Sequence, residues 1–302
     1  MNENLVEMAK DLLKGAVDFH VHAYPDTVQR CQDMVEVVKH AAEYEMKAIV
    51  FKDHNTITAD RAYIVNKIVP EVKSIGGIAL NYSVGGLNPT AVEAAIKMGA
   101  KIIWMPSIDA AWTIYQVHIN KVGKWLKPFV KIKDPKRGIS ILKGGLSGNE
   151  LLPEVKEILA IIKEYDVVLD ILHVSPKERK IIVDEAKNYG IEKIVLTHPN
   201  CDIGFAGIDE QKKLASEGVY MDYAFLPCMP MFDRQNPAII AKMFKAIGAE
   251  RCLLCTDFGQ LVNPPPVEGL KLFILHLLAC GISKKEIEIA VGDNSTELLD
   301  LK

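Results

Sequence analysis

Apolar residues recur along this chain in two alternating rhythms. Short, nearly unbroken apolar runs stand at 16–22, 47–53, 77–82, 101–105, 167–173, 193–198, 218–224 and 252–257, with the length and composition of strands buried on both faces. Between them, apolar positions return every three or four residues in Asp33–Glu45, Thr90–Met98, Pro153–Tyr165, Pro176–Tyr189, Glu210–Glu217, Pro237–Ile247 and Val267–Ala279. That spacing predicts helices with one apolar face. A further amphipathic segment runs from Met1 to Lys14 and stops at Gly15. Strands alternating with helices predict an α/β protein with a parallel sheet, and eight such units predict a closed (β/α)8 TIM barrel. A doubly wound open sheet fits the alternation too, but no G-x-G-x-x-G follows the first strand.

No low-complexity linker divides the chain, so residues 1–302 read as a single domain. One connection is long. From Pro106 to about Gly148, after the fourth strand, the chain carries Trp112, Tyr115, His118, Trp125 and a predicted hairpin around Gly138–Gly145. In a barrel this insertion lies over the mouth, where long ordered loops act as lids or binding surfaces; a decorative or oligomer-contact insertion fits equally well.

Composition narrows the function classes. Hydrophobic residues at 49% and a formal charge of −3 describe an ordinary globular protein, and no Lys/Arg stripe marks a helix face. A nucleic-acid partner is therefore not expected, and the basic stretch Lys127–Arg137 reads as a solvated loop. Acidic residues interrupt the first segment, which excludes it as a signal peptide or membrane span, so a cytoplasmic protein acting on a small molecule is expected. The six cysteines are irregularly spaced and suggest no disulfide framework. Cys252 and Cys255 sit three apart in a strand-like run, on opposite faces, which excludes a shared metal.

The histidines carry the chemistry. There are eight, and five fall at the ends of predicted strands: His20, His22, His54, His173 and His198. Asp257 ends the eighth strand, in Cys255-Thr256-Asp257-Phe258-Gly259. A barrel brings all strand C-termini to one mouth, so these residues meet although they are far apart in the chain. His20 and His22, two apart, point the same way, with Asp18 behind them to orient a ring. Neutral imidazoles with one carboxylate suit Zn2+ or a similar divalent transition ion, as one or two ions. Lys52 shares the face of His54, and either Lys52 or His198 can polarise a carbonyl or hold an anionic group. Asp257 is placed to act as base. Arg30, Arg61 and Arg234 on loops read either as exposed surface charges or as groups that meet a carboxylate, and the apolar loop Phe225–Phe232 fits either a substrate wall or a contact between copies in a homo-oligomer.

This constellation resembles the amidohydrolase superfamily, whose signature is His-x-His on the first strand, His on the fifth and sixth and Asp on the eighth. Residues 292–301 also resemble that family's closing helix, with its Asn and paired leucines. The resemblance implies His20, His22, His173 and Asp257 as metal ligands, with His198 a second-metal ligand or substrate contact. It implies hydrolysis of an amide, lactone or ester by a metal-activated water. Two departures stand out. The fourth strand ends Ile103-Trp104-Met105-Pro106-Ser107, without the bridging Lys or Glu of two-metal members. The stretch from Asp18 to Asn55 instead resembles the polymerase-and-histidinol-phosphatase (PHP) phosphoesterases, in which His54 would recruit a further ion. That group expects a His two residues after the last Asp, where this chain has Gly259. A phosphoesterase and a non-hydrolytic barrel, decarboxylating or only ligand-binding, are the alternative readings.

Overall fold

In the computed structural model, which describes residues 3–301, the apolar runs form nine short strands: β1 Val17–Val21, β2 Ala48–Phe51, β3 Lys73–Ile75, β4 Gly77–Ala79, β5 Ile102–Trp104, β6 Val168–Asp170, β7 Ile194–Thr197, β8 Tyr220–Ala224 and β9 Cys252–Cys255. Every pairing is parallel, in sheets ordered β1-β2-β3 and β4-β5-β6-β7-β8-β9. The fold is α/β with the strand order of a TIM barrel, and the ladder stops at two seams. At one, Gly76 alone separates β3 from β4. A Cβ there would lie 2.5 Å from the backbone of Thr58 and Ala59, so only glycine permits that approach. At the other, β1 meets the end of β9 through one bridge, Val21 with Phe258. There the Asp257 amide donates to His20 O (2.9 Å) and the His22 amide to Phe258 O (2.8 Å).

Alternate strand residues build two apolar layers. Val17, Ala48, Val50, Ile102, Trp104, Val168 and Leu253 fill the interior, while Ile49, Phe51, Ile103, Leu169, Leu196 and Leu254 pack outward against helices. Cys255 belongs to the first layer and Cys252 to the second, so the C-x-x-C pair is split by the sheet. The predicted helices appear as α2 Met34–Glu43, α4 Pro89–Lys97, α6 Pro153–Tyr165, α7 Pro176–Asn188, α8 Ile208–Ser216, α9 Pro237–Ile247 and α10 Pro266–Ala279; α5 is a single turn at Ala111–Ile114. The N-terminal segment forms α1 over Glu3–Asp11, with Met1 and Asn2 outside the described residues. At the other end, α11 spans Lys284–Glu288 and α12 Asn294–Leu298. Leu298 and Leu299 stop the bottom of the interior, and Asn294 Nδ2 donates to Ala249 O and Cys252 O at 2.8 Å each. That is the physical content of the closing Asn and paired leucines.

Three expectations need correction. A helix not predicted, α3 Ala59–Ile68, lies between β2 and β3. It buries Ala59, Ala62 and Val65 and exposes Tyr63 (59%), Ile64 (56%) and Ile68 (54%), so its large apolar residues face away from the core and blur the pattern. The third strand position begins at Lys73 rather than Gly77 and ends at Ala79, because Tyr82–Val84 turn into a 3-10 helix. The insertion holds no hairpin at Gly138–Gly145. Isolated bridges tie Ala110 to Ile139 and Leu142 to Leu151 instead. Its own small core comprises Ile114, Val117, Leu126 and Val130 with Cys201 and Ile203. Glu178, buried in the first turn of α7, anchors it by accepting from Ser140 Oγ (2.6 Å) and the Ile141 amide (3.1 Å).

Candidate metal centre

At the β1–β9 seam three side chains converge. His22 Nε2 lies 3.2 Å and His20 Nε2 3.5 Å from Asp257 Oδ1, all but buried. Ligands bound at about 2.1 Å around a tetrahedral ion stand about 3.4 Å apart, so these separations are those of a shared coordination sphere. Both ring nitrogens of His20 and Nδ1 of His22 are buried without a hydrogen-bond partner among the described residues. Burial, then the charge of Lys52 on His20 and of Arg30 on His22, depresses both imidazole pKa values well below the usual range. Neutral rings with buried, unused lone pairs are what a metal requires and what a folded chain otherwise avoids. The donor set fits a divalent transition ion.

The seam itself supplies the positioning. Pairing between β1 and β2 shifts register between Asp18 and Val21. Asp18 bonds no imidazole nitrogen among the described residues. It accepts from the Thr256 amide (2.9 Å) and Thr256 Oγ1 (2.6 Å), fixing the residue before Asp257. Asp257, His198 and His173 all hold left-handed backbones, with φ of 57°, 40° and 56°. Non-glycine residues adopt that region at a cost, and it concentrates at functional sites.

The other predicted residues surround this group without joining its inner triad. The His54 ring centroid is 4.9 Å from that of His22, and its Nδ1 bonds Ser107 Oγ (2.9 Å), which Asn81 Nδ2 also contacts (2.8 Å). His173 bonds Thr113 Oγ1 through Nδ1 (2.8 Å) and meets His198 edge-on at 4.8 Å. His198 lies 6.3 Å from His20, ring to ring. Ser107 and Thr113, which set these two rings, carry no sequence signal beyond standing past a strand end and in the insertion. Lys52 is buried with Nζ unpartnered, 5.7 Å above the Trp104 ring, and burial lowers its pKa to about 8 against the pull of Asp257, Asp170 and Asp222. His20, Asp222 and Cys255 form a second close grouping below the first. Asp53 is no ligand: it caps its own loop, accepting from the Asn55 amide (2.7 Å) and from Arg61 (3.1 Å).

Burial pushes the His198 pKa down to about 4. Its unfolded value is near 6.5, so between these limits the unfolded chain binds a proton that the folded chain does not, and stability falls as pH drops from 6.5 to 4. At about 1.4 kcal/mol per unit this reaches about 3 kcal/mol. His198→Asn, whose side chain tolerates the left-handed backbone, removes its share of that slope, while the other buried histidines keep theirs. Denaturant unfolding at pH 7 and pH 4.5, with a chelator present, checks it; an unchanged pH dependence contradicts the assignment.

The predicted histidines, Lys52 and Asp257 open into one cavity of about 700 Å3. Its floor is His20, His22, Lys52, His54, His173, His198 and Asp257. The insertion contributes Trp125, Phe129 and Lys131, and the loop after β8 contributes Leu226, Met231 and Phe232. The insertion thus covers the mouth as expected, and Lys131 of the basic stretch faces the cavity. Trp112 and Tyr115 stack on each other at 5.6 Å and do not line it; Trp112 Nε1 donates to Ile203 O. Of the three arginines only Arg30 is on the wall, whereas Arg61 ties down its own loop and Arg234 Nε donates to Pro230 O. The His expected of a PHP enzyme cannot stand at Gly259, where a Cβ would lie 2.0 Å from His22 O.

Comparison with known proteins finds the same architecture. The family described as "Family of unknown function (DUF6282)" matches residues 15–222. No curated protein matches. Among solved structures, an amidohydrolase from Pseudomonas aeruginosa aligns over 98% of both chains at 13% identity and a TM-score of 0.62. A putative 2-pyrone-4,6-dicarboxylic acid hydrolase from Pseudomonas putida covers 95% of this chain and 97% of its own, at 13% identity and a TM-score of 0.59. An amidohydrolase from Burkholderia multivorans with bound zinc covers 95% and 99%, at 11% identity and a TM-score of 0.55. At these identities the likeness is one of fold alone, that of a TIM barrel.

Proposed function

The chain belongs to the DUF6282 family of unknown function, and we propose that it is a metal-dependent hydrolase cleaving an amide, lactone or ester of a small molecule. The observation that carries this reading is the convergence of His20, His22 and Asp257, with both ring nitrogens of His20 and Nδ1 of His22 buried and unpartnered among the described residues. A divalent ion, Zn2+ or one like it, supplies Lewis acidity and lowers the pKa of water at neutral pH. His20, His22 and Asp257 would hold it, with His54, His173 and His198 near enough to complete that sphere or a second one.

The remaining work falls to the chain. Burial raises the Asp257 pKa, against the pull of His198, Lys52 and Arg30, which suits a carboxylate that takes a proton from water and returns it to a leaving group. His198 stays neutral and can donate one hydrogen bond to a carbonyl oxygen from a fixed backbone. Lys52 gives the floor a buried positive charge that favours an oxyanion above it. The insertion covers the mouth and limits the entry of bulk water.

Elemental analysis of the protein as purified, with a panel of amide, lactone, ester and phosphoester substrates, tests the reading. About one or two equivalents of divalent metal are expected, with turnover lost on chelation and restored by Zn2+. Turnover indifferent to chelation would refute it, and so would a bound metal with no hydrolysis of any class. Phosphoester cleavage far exceeding the others would move the assignment to the phosphoesterases.

A further inference from the structure

Arg30 stands on the cavity wall in the loop after β1 and is only 7% exposed. Its place is fixed: the neighbouring Cys31 amide donates to Gly259 O at 2.8 Å. Asp26 takes one edge of the guanidinium, with Oδ2 2.7 Å from both Nε and Nη2. Asp26 is itself fully engaged, since Oδ1 accepts from the Val28 amide (3.2 Å) and Thr27 Oγ1 (3.4 Å). A guanidinium has five N–H donors in a planar fork. The Nε/Nη2 edge is occupied and Nη1 has no partner among the described residues, so the end-on Nη1/Nη2 edge is free. A purely structural arginine this deep would have that edge satisfied as well.

Its surroundings specify a ligand. Arg30 is close enough to the metal centre for its charge to act on His22, His54 and Asp257. Lys131, which has no bonded partner among the described residues, adds a further positive charge to the lining of the same cavity. Beside Lys131, the insertion and the loop after β8 line the cavity with large apolar side chains. Trp125 is pinned there by Nε1 donating to Asp233 Oδ1 (2.7 Å), and it meets Phe232 edge-on at 4.9 Å. Phe129, Met231 and Val262 extend this surface to the exposed rim.

Resting on the hydrolase reading of the cavity, we propose that its substrate carries a carboxylate, gripped by the free Nη1/Nη2 edge of Arg30, on an apolar body that packs against Trp125 and Phe232. A bidentate arginine–carboxylate pair in a shielded pocket gives direction as well as affinity. It would hold the scissile bond at a fixed distance over His22 and Asp257.

Phenylacetate and its neutral isostere phenylacetamide serve as probes, titrated calorimetrically into the protein as purified. Wild type is expected to bind the acid at least about tenfold more tightly than the amide. Arg30→Gln abolishes that preference, Arg30→Lys keeps part of it, and Trp125→Ala weakens both probes alike. Equal affinity in wild type, or no binding of either probe, overturns the proposal without needing any variant to fold. A preference that survives Arg30→Gln also overturns it, because the carboxylate would then sit on the metal. Metal content and turnover are read separately, so failure of the hydrolase assignment and failure of this subsite are distinguishable.

Discussion

Asp257→Asn lowers kcat by about four orders of magnitude on whichever amide, lactone or ester the panel identifies. The substitution keeps the shape and removes the charge. Asp257 Oδ1 is the point on which both His20 and His22 converge, at 3.5 and 3.2 Å, so an ion held there would take that oxygen and leave the other for proton transfer. An amide cannot accept that proton, and as a neutral ligand it also weakens metal affinity. Both losses are expected, and metal analysis at saturating Zn2+ separates them: with the site refilled, the defect from the missing base remains. The fold should tolerate the change, because Asp257 is anchored by its backbone amide on His20 O and by Thr256 beneath it. Activity within tenfold of wild type at full metal occupancy would remove Asp257 from the mechanism.

The largest effect on stability is expected at Gly259, outside the ligand set. Its φ is +142°, and a Cβ added there would lie 2.0 Å from His22 O and 2.9 Å from His22 Cβ. Gly259→Ala must therefore displace His22 or part the strands, a change of about 4 kcal/mol by the scale of strained and overpacked sites. Gly99→Ala is the control: its φ is +103° but nothing lies within 4 Å, so it carries the backbone cost alone, about 1 kcal/mol. Denaturant unfolding of both, with the Zn2+ affinity of Gly259→Ala, decides the matter. A small loss at 259 with affinity unchanged would show that the seam gives way without moving the ligand.

Much of this was legible because of how a barrel works. Strand ends share one mouth, so His20, His22, His54, His173, His198 and Asp257 could be grouped across some 237 positions without knowing a contact. Unbroken apolar runs marked most strands because both faces are buried. What escaped had physical causes. In α3, alanines and one valine face the core while Tyr63, Ile64 and Ile68 face out, so residue size opposed the pattern. Lys73–Ile75 begins with an exposed lysine and adjoins Gly76, too short and too mixed to read as a strand. Alternation puts Asp18 behind the two histidines, but it carries no sign that the carboxylate is taken by Thr256, 238 positions away in the chain. The Asp26–Arg30 pair lies on an irregular loop, where spacing carries no periodic signal.

The seam between the first and last strands has a consequence for how the chain is held together. His20 and His22 lie on one side of it and Asp257 on the other, about 235 residues later. Any ion shared by these ligands is also a cross-link between the two ends of the polypeptide, spanning a loop longer than most disulfides close. Loop-closure entropy grows only with the logarithm of that length, yet a link formed in the native state alone still resists opening with its full binding free energy. Opening of this seam in the native state would thus answer to metal supply. In cells, the lifetime of this protein against proteolysis would then track the availability of the ion as closely as its catalysis does.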